Sequence, residues 1–199
     1  MPIRKERLYR YYAPLAATIK EKRINSDYYV EGYAATFAPY QLFERDGVIF
    51  YEHISPDALN GADMSDVIMQ YDHRGKVLAR QSNGTLGIEA DSKGLFVFAD
   101  LSKSAAAKEM YEEISAGLVT KMSFAFTIAE ETYNNQTRTW TINKIKKVYD
   151  VSAVSYPANA DTEIAARSWI NGAIEAERRE ALARKSQLLK LKILLNLCV

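Results

Sequence analysis

Cysteine is almost absent from this chain of 199 residues, in which the only cysteine is the penultimate residue, Cys198. A single cysteine can build neither an internal disulfide nor a cysteine-based metal cluster, so we expect a reducing, intracellular setting. The sequence also has no HExxH, paired CxxC, GxxxxGK[ST] or GxGxxG motif, and it has only 9 glycines. These absences predict that the protein uses no bound metal and no cofactor.

Charge of one sign and long apolar runs are lacking as well. Lys and Arg total 26 against 25 Asp and Glu, so the sequence gives no reason to expect a nucleic-acid partner. The first residues, MPIRKERLYRYY, have no apolar stretch after their positive charges. The longest apolar run, ILLNLCV, is far shorter than the roughly 20 residues that span a bilayer. We therefore expect a soluble protein without a membrane partner.

What the chain does have is β-strand pattern over its first two-thirds. Residues 28–54 alternate aromatic with small or polar residues, and the Asp46-Gly47 pair predicts a hairpin within them. Further strands are predicted at Val67–His73, Thr85–Asp91, Leu95–Leu101, Val119–Ile128 and Thr137–Ser155. The fold class is therefore mainly β (α+β).

Helical spacing is found in two places. Apolar residues recur at helical intervals over residues 104–118, where Ser102 or Ser104 can cap the start and Gly117 can end the helix. From Asp161 onward the composition changes to Ala, Glu, Arg, Lys and Leu, which predicts a charged helical tail over residues 161–196. We predict two domains, a β domain over residues 1–160 and a helical C-terminal tail over residues 161–199.

The two histidines limit the choice of a general base. On a strand over Val67–His73, His73 would end an apolar row that includes Met69 and Tyr71, beside an Arg74-Gly75 turn. A histidine packed on one side and open at the strand end is suited to proton transfer. The alternative is a core or surface histidine with a structural hydrogen bond. We interpret His53, just before a Ser-Pro turn, as structural or exposed.

Ser123, in the segment KMSFAF, is a candidate nucleophile. On a strand over Val119–Ile128 the bulky residues share one face, and Ser123 lies on the other face beside Ala125 and the stem of Lys121. That side would leave room for a substrate chain. A serine hydroxyl is a weak nucleophile until a neighbouring base takes its proton, so Ser123 requires a histidine within hydrogen-bond reach.

Asp150 is a candidate third residue. It lies in a partly apolar row with Val148, Ser152 and Val154, where a carboxylate must be paired or hydrogen-bonded. A histidine N–H is one suitable partner, and orienting an imidazole is the role of the acid in a catalytic triad. Pairing with a lysine at 146 or 147 is the alternative interpretation.

An ordered set of segments resembles the prohead serine proteases of tailed phages, which are similar in fold to the herpesvirus assemblins. The segments cover roughly residues 28–165 and are GYAATF (32–37), YEHISPDAL (51–59), QYDH with VLAR (70–73 and 77–80), GLFVFADL (94–101), AAAKEMYEEISAGLVTKMSFAF (105–126) and DVSAVSYPANADTEI (150–164). One departure is Ala79-Arg80, where the family usually has Gly-Arg.

The resemblance implies an assemblin-like β-barrel surrounded by helices, and a serine endopeptidase that acts inside the assembling procapsid in the host cytoplasm. Its substrates would be the scaffold or the scaffold-like segment of the major capsid protein, and commonly the protease itself. The family's histidine falls on His73 and its serine on Ser123. Asp150 matches an acidic residue before the family's V-S pair, although assemblins use a second histidine there, so the third residue stays open. Self-association is a further open point.

Two alternatives to the protease remain at this stage. A non-catalytic scaffold or core protein would use the β domain as a docking body and the tail as an assembly rod, since fold does not fix function. The presence of all three candidate residues speaks against it. An unrelated β-barrel binding module would make the matched intervals a coincidence.

Overall fold

The structure, a computed structural model, describes residues 22–154, the backbone of residues 8–14, and residues 179, 182–185 and 187. The chain divides into two compact units, Met1–Pro157 and Ala158–Val199. In the second unit the described residues are helical. The predicted domain boundary at 160/161 and most of the predicted tail lie outside the described residues and stay predictions. In the part of the chain described, no helix is long and apolar enough to cross a membrane.

Strands dominate the first unit, as the sequence predicts. They are β1 (Leu8–Pro14), β2 (Tyr29–Thr36), β3 (Tyr40–Arg45), β4 (Val48–Ile54), β5 (Ile68–Tyr71), β6 (Arg74–Arg80), β7 (Leu86–Ala90), β8 (Gly94–Asp100), β9 (Lys121–Asn134) and β10 (Thr139–Val154). The described residues of the first unit also contain one α-helix, α1 (Ala105–Ser115), and a short 3-10 helix, Pro56–Leu59.

The larger sheet has seven strands and is organised by the long strand β10. β9 pairs antiparallel with one edge of β10, and β1 pairs with the far side of β9. The other edge of β10 is shared by two parallel partners, β4 along Thr139–Ile142 and β5 along Asp150–Ala153. β3 extends the sheet beyond β4, and β6 extends it beyond β5. The C-terminal half of β10 is thus held between β9 and β5, which places three separate chain segments side by side.

The smaller sheet has three strands in the order β2-β8-β7. Gly94 allows β8 to approach β2 closely, because a Cβ at this position would lie 2.0 Å from the backbone oxygen of Ala35. The mainly β prediction is confirmed, whereas the closed barrel surrounded by helices is a correction. Among the described strands, no hydrogen-bonded ladder joins the two sheets. They meet through side-chain packing instead, so the backbone does not form a closed cylinder.

One hydrophobic core joins both sheets and α1. Its members come from the large sheet (Met122, Phe124, Phe126, Ile142, Val151), the small sheet (Val30, Leu95, Val97) and the helix (Ala107, Met110, Ile114). The helix starts where the sequence predicts, since Ser104 Oγ accepts a hydrogen bond from Ala107 N–H at 3.1 Å. It ends just before Gly117, which has φ 75°. The core thus fixes β9 and β10, the strands on which two candidate residues lie.

Turn chemistry bears out one prediction and corrects another. Asp46 and Gly47, with φ 51° and 74°, connect β3 to β4 as the predicted hairpin. The predicted strand over Val67–His73 is shorter than expected, because β5 ends at Tyr71. Asp72 and His73 form a second tight turn, which leads into a strand β6 that the sequence reading did not predict.

Candidate active site

His73 lies in a two-residue turn and not on a strand face. Tyr71 pairs with Arg74 across the turn, and the two residues between them, Asp72 and His73, have φ 45° and 58°. Residues other than glycine seldom adopt this left-handed backbone, although Asp and His do so more often than most. The N–H of Asp72 donates to the carbonyl oxygen of Ala153 in β10 at 3.0 Å, which ties the turn to the large sheet. The turn therefore aims the imidazole across β10 towards β9.

Ser123 and Asp150 reach the same place from neighbouring strands. Ser123 is directly opposite Ser152 in the β9–β10 ladder, and Asp150 is opposite Ala125. Residues two apart on a strand share one face, so Ser123 and Ala125 lie on the same side of the sheet as Asp150 and Ser152. A register shift between Val148 and Asp150 sets where the carboxylate enters this row.

The three sequence-predicted residues come together in one hydrogen-bonded chain. His73 Nε2 lies 2.6 Å from Ser123 Oγ, and His73 Nδ1 is hydrogen-bonded to Asp150 Oδ1. Because a carboxylate only accepts hydrogen bonds, Nδ1 carries the ring proton and donates it to Asp150. Nε2 is then left to accept from the Ser123 hydroxyl. The predicted proximity of the three residues is confirmed, and the lysine partner considered for Asp150 is replaced by His73.

Burial at the site is greater than the sequence suggests. Ser123 is 0% exposed, and the side chains of His73 and Asp150 are 6% and 2% exposed. The expectation that Ser123 emerges on an open face is wrong, since Ala125 on that face is fully buried as well. The His73 imidazole lies against the hydroxyl, with Nε2 2.6 Å from Ser123 Oγ, so the turn at Asp72-His73 helps to cover this residue. A low-dielectric surrounding strengthens the hydrogen bonds of this chain of residues.

Ser152 is a fourth residue of the site. The sequence predicted that it lies on the same strand face as Asp150 but indicated no role for it. Its Oγ donates to Asp150 Oδ1 at 3.1 Å and accepts the backbone N–H of His73 at 3.2 Å. The alternation of residues along the strand predicted that Ser152 lies on the same face as Asp150. Its contact with His73 depends on the Asp72-His73 turn, which no local sequence pattern predicted.

Other residues singled out in the sequence lie elsewhere. His53 is in β4, half-buried and opposite Thr141, as a structural residue would be. Arg80, in the segment that departs from the family pattern, has its Nε 3.5 Å from Asp66 Oδ1. Among the residues that the structure describes, no group of three or more His, Cys, Asp or Glu side chains could hold a metal ion.

A Ser–His–Asp relay on a mainly β fold has the composition and connectivity of serine hydrolase sites. The family model of caudovirus prohead serine proteases matches residues 16–174, well over half of the chain. The chain belongs to the caudovirus prohead serine protease family. It is thus a phage capsid-maturation protease of the serine peptidase class, of a family that acts in the assembling procapsid. No curated protein and no solved structure matches the chain.

Proposed function

We propose that Ser123, His73 and Asp150 are the nucleophile, the general base and the orienting acid of this protease. The observation that supports the assignment is the continuous chain of hydrogen bonds from Asp150 through His73 to Ser123. These residues are far apart in sequence and are contributed by a turn and two strands. Generic packing does not require a buried serine hydroxyl, imidazole and carboxylate to meet in this order.

The chemistry follows from the atoms in contact. Ser123 Oγ attacks the carbonyl carbon of the scissile peptide while its proton passes to His73 Nε2. The tetrahedral adduct collapses, the C–N bond breaks, and Nε2 returns the proton to the leaving amine, which leaves an acyl ester on Ser123. Water then attacks the ester with His73 again as base, and the acid product and the free hydroxyl are released. Asp150 keeps the proton on Nδ1 and stabilises the imidazolium that forms twice in this cycle.

Substrate access requires movement at the site, because the hydroxyl of Ser123 is fully buried. Segments that cover a catalytic group are commonly displaced when a substrate binds. The proposed substrates are the scaffold or the scaffold-like segment of the major capsid protein. The kinship in fold with the herpesvirus assemblins, implied by the sequence resemblance, belongs to the same proposal.

Co-expression with the phage capsid protein tests the assignment. The wild type should shorten the capsid protein or scaffold to defined masses, whereas Ser123→Ala and His73→Ala should leave them intact. His53→Ala is the matched control, because it removes the only other histidine of the chain from a different part of the sheet. Equal cleavage by wild type and Ser123→Ala would refute the nucleophile, and absence of cleavage by any variant, wild type included, would favour the non-catalytic scaffold protein.

We also propose that the tail, residues 161–199, docks on scaffold or on a second protease copy and is later removed by self-cleavage. Its composition supports this, since it is charged and helical in character through Arg184 and then rich in leucine. An apolar end of this kind needs a surface to cover it. The mass of purified protein followed over time tests the idea. A shorter species that is absent from Ser123→Ala is expected, and an active wild type that keeps its full mass would contradict it.

A further inference from the structure

We propose that Ser152 is a positioning residue whose hydroxyl holds the His73 turn and the Asp150 carboxylate in their reactive arrangement. This inference rests on the proposed triad and adds a fourth residue to it. Ser152 is 0% exposed, and it lies directly across the ladder from Ser123. It is therefore the residue of β10 nearest in register to the nucleophile.

The hydroxyl of Ser152 can donate one hydrogen bond and accept others, and it does both at this site. The proton goes to Asp150 Oδ1, at 3.1 Å, and the oxygen accepts the backbone N–H of His73, at 3.2 Å. Asp150 Oδ1 thus receives two hydrogen bonds, one from Ser152 and one from the imidazole of His73. A single side chain links the backbone of the base with the carboxylate that orients the ring of that base.

This link matters because the His73 turn is a high-energy conformation. Both turn residues have positive φ, and such residues persist only where the surroundings hold them. Two hydrogen bonds from the backbone of the turn to β10 help to do so, one from the Asp72 N–H to the Ala153 carbonyl and one from the His73 N–H to Ser152. The first uses backbone atoms that any sequence would supply. The second depends on the Ser152 hydroxyl, so a substitution of Ser152 removes it.

Removal of the hydroxyl should loosen the imidazole without removing any reacting atom. Ser152→Ala leaves the His73 N–H and one acceptor site of Asp150 without this partner. Small displacements of a catalytic group cost on the order of 100-fold in rate, so we expect labelling of Ser123 to slow by roughly 10- to 100-fold. The probe is a fluorophosphonate, which forms a covalent bond with an activated serine and needs no knowledge of the natural peptide. Labelling is followed as an increase in intact mass.

The chain contains a matched control in Ser26. Like Ser152, Ser26 accepts a backbone N–H and donates to an aspartate. Its Oγ accepts the N–H of Tyr28 and donates to Asp100 Oδ1. Asp100 lies in β8 of the small sheet, outside the site. Ser26→Ala should therefore lower the melting temperature about as much as Ser152→Ala does while labelling at the wild-type rate. Ser152→Thr, which keeps the hydroxyl, should recover most of the rate lost in the alanine variant.

A second measurement separates positioning from simple loss of fold. The proton on His73 Nδ1, bonded to a carboxylate, should give a low-field proton NMR signal that is absent in His73→Ala and is weakened or shifted in Ser152→Ala but unchanged in Ser26→Ala. The inference is wrong if Ser152→Ala labels like the wild type, if its labelling falls only in proportion to its folded fraction, or if Ser152→Thr is as slow as the alanine variant. If the wild type is neither labelled by the probe nor able to cleave the co-expressed capsid protein, the proposed function fails. The NMR comparison still decides the role of Ser152.

Discussion

Replacement of Asp150 by asparagine changes the charge beside His73 while keeping nearly the same shape. Asp150 is 1% exposed, and its Oδ1 accepts from His73 Nδ1 and from Ser152 Oγ. An asparagine that turned its NH₂ group towards Nδ1 would force the ring proton on to Nε2, which could then no longer accept the proton of Ser123. An asparagine that turned its oxygen towards Nδ1 would keep the tautomer but lose the charge that stabilises the imidazolium.

The expected size follows from these two losses. In serine proteases, loss of the acid costs about 10⁴-fold in kcat, compared with about 10⁶-fold for the nucleophile or the base. A factor of 10⁴ corresponds to about 5.4 kcal/mol of barrier at about 1.36 kcal/mol per decade. This exceeds the roughly 1.5–3 kcal/mol of a single hydrogen bond to a charged group. Asp150→Asn should therefore be strongly impaired, and less so than Ser123→Ala.

The assay is the rate of fluorophosphonate labelling, with cleavage of the co-expressed capsid protein as the second readout and near-ultraviolet circular dichroism as the check on folding. Asp100→Asn is the matched control, because Asp100 is another buried aspartate, 5% exposed, that accepts hydrogen bonds from Ser26 and Ser102. It should label at the wild-type rate. A folded Asp150→Asn protein that labels within about tenfold of the wild type would show that Asp150 does not orient His73 in this way.

Three further outcomes are expected. Ser123→Ala and His73→Ala should each lower turnover about a million-fold while leaving the fold intact, and measurable turnover by either variant would contradict the serine mechanism. Burial alone would raise the pKa of Asp100, but hydrogen bonds from two serines outweigh burial and lower this pKa from 3.8 to about 2. The ionised Asp100 therefore stabilises the fold above pH 3.8, and this contribution is lost as the pH falls towards 2. The free energy of unfolding should therefore drop by about 2 kcal/mol more in the wild type than in Asp100→Asn over that interval, and parallel acid-denaturation curves would refute this. Gly94→Ala should lower the free energy of unfolding by at least about 3 kcal/mol, because the new Cβ would overlap the backbone of β2. Gly84 has open space around it but φ 74°, so Gly84→Ala should cost only about 1–2 kcal/mol in urea unfolding. Equal losses in the two glycine variants would be the contrary result.

Local patterns were sufficient for most of the strands and for the helix. Asp46-Gly47 specifies a hairpin because both residues tolerate positive φ, and Ser104 begins α1 because its hydroxyl caps the first turn. These features depend on neighbours within a few residues, which a sequence displays directly. The strand patterns made His73, Ser123 and Asp150 candidates, the family resemblance pointed to the same three, and the structure brings them together.

Sequence patterns were enough to predict the strand-rich fold class, the position of the helix and the three candidate residues. How these residues meet depends on the three-dimensional arrangement of the strands. His73 approaches from a left-handed turn held by β10, and Ser123 is fully buried beside the His73 imidazole. Two sheets pack side chain against side chain without closing into a barrel. Each of these depends on contacts between segments far apart in the chain, as in the His73–Ser123 and His73–Asp150 contacts across 50 and 77 positions. Periodicity fixes which face of a strand a residue occupies, whereas long-range pairing determines what covers that face.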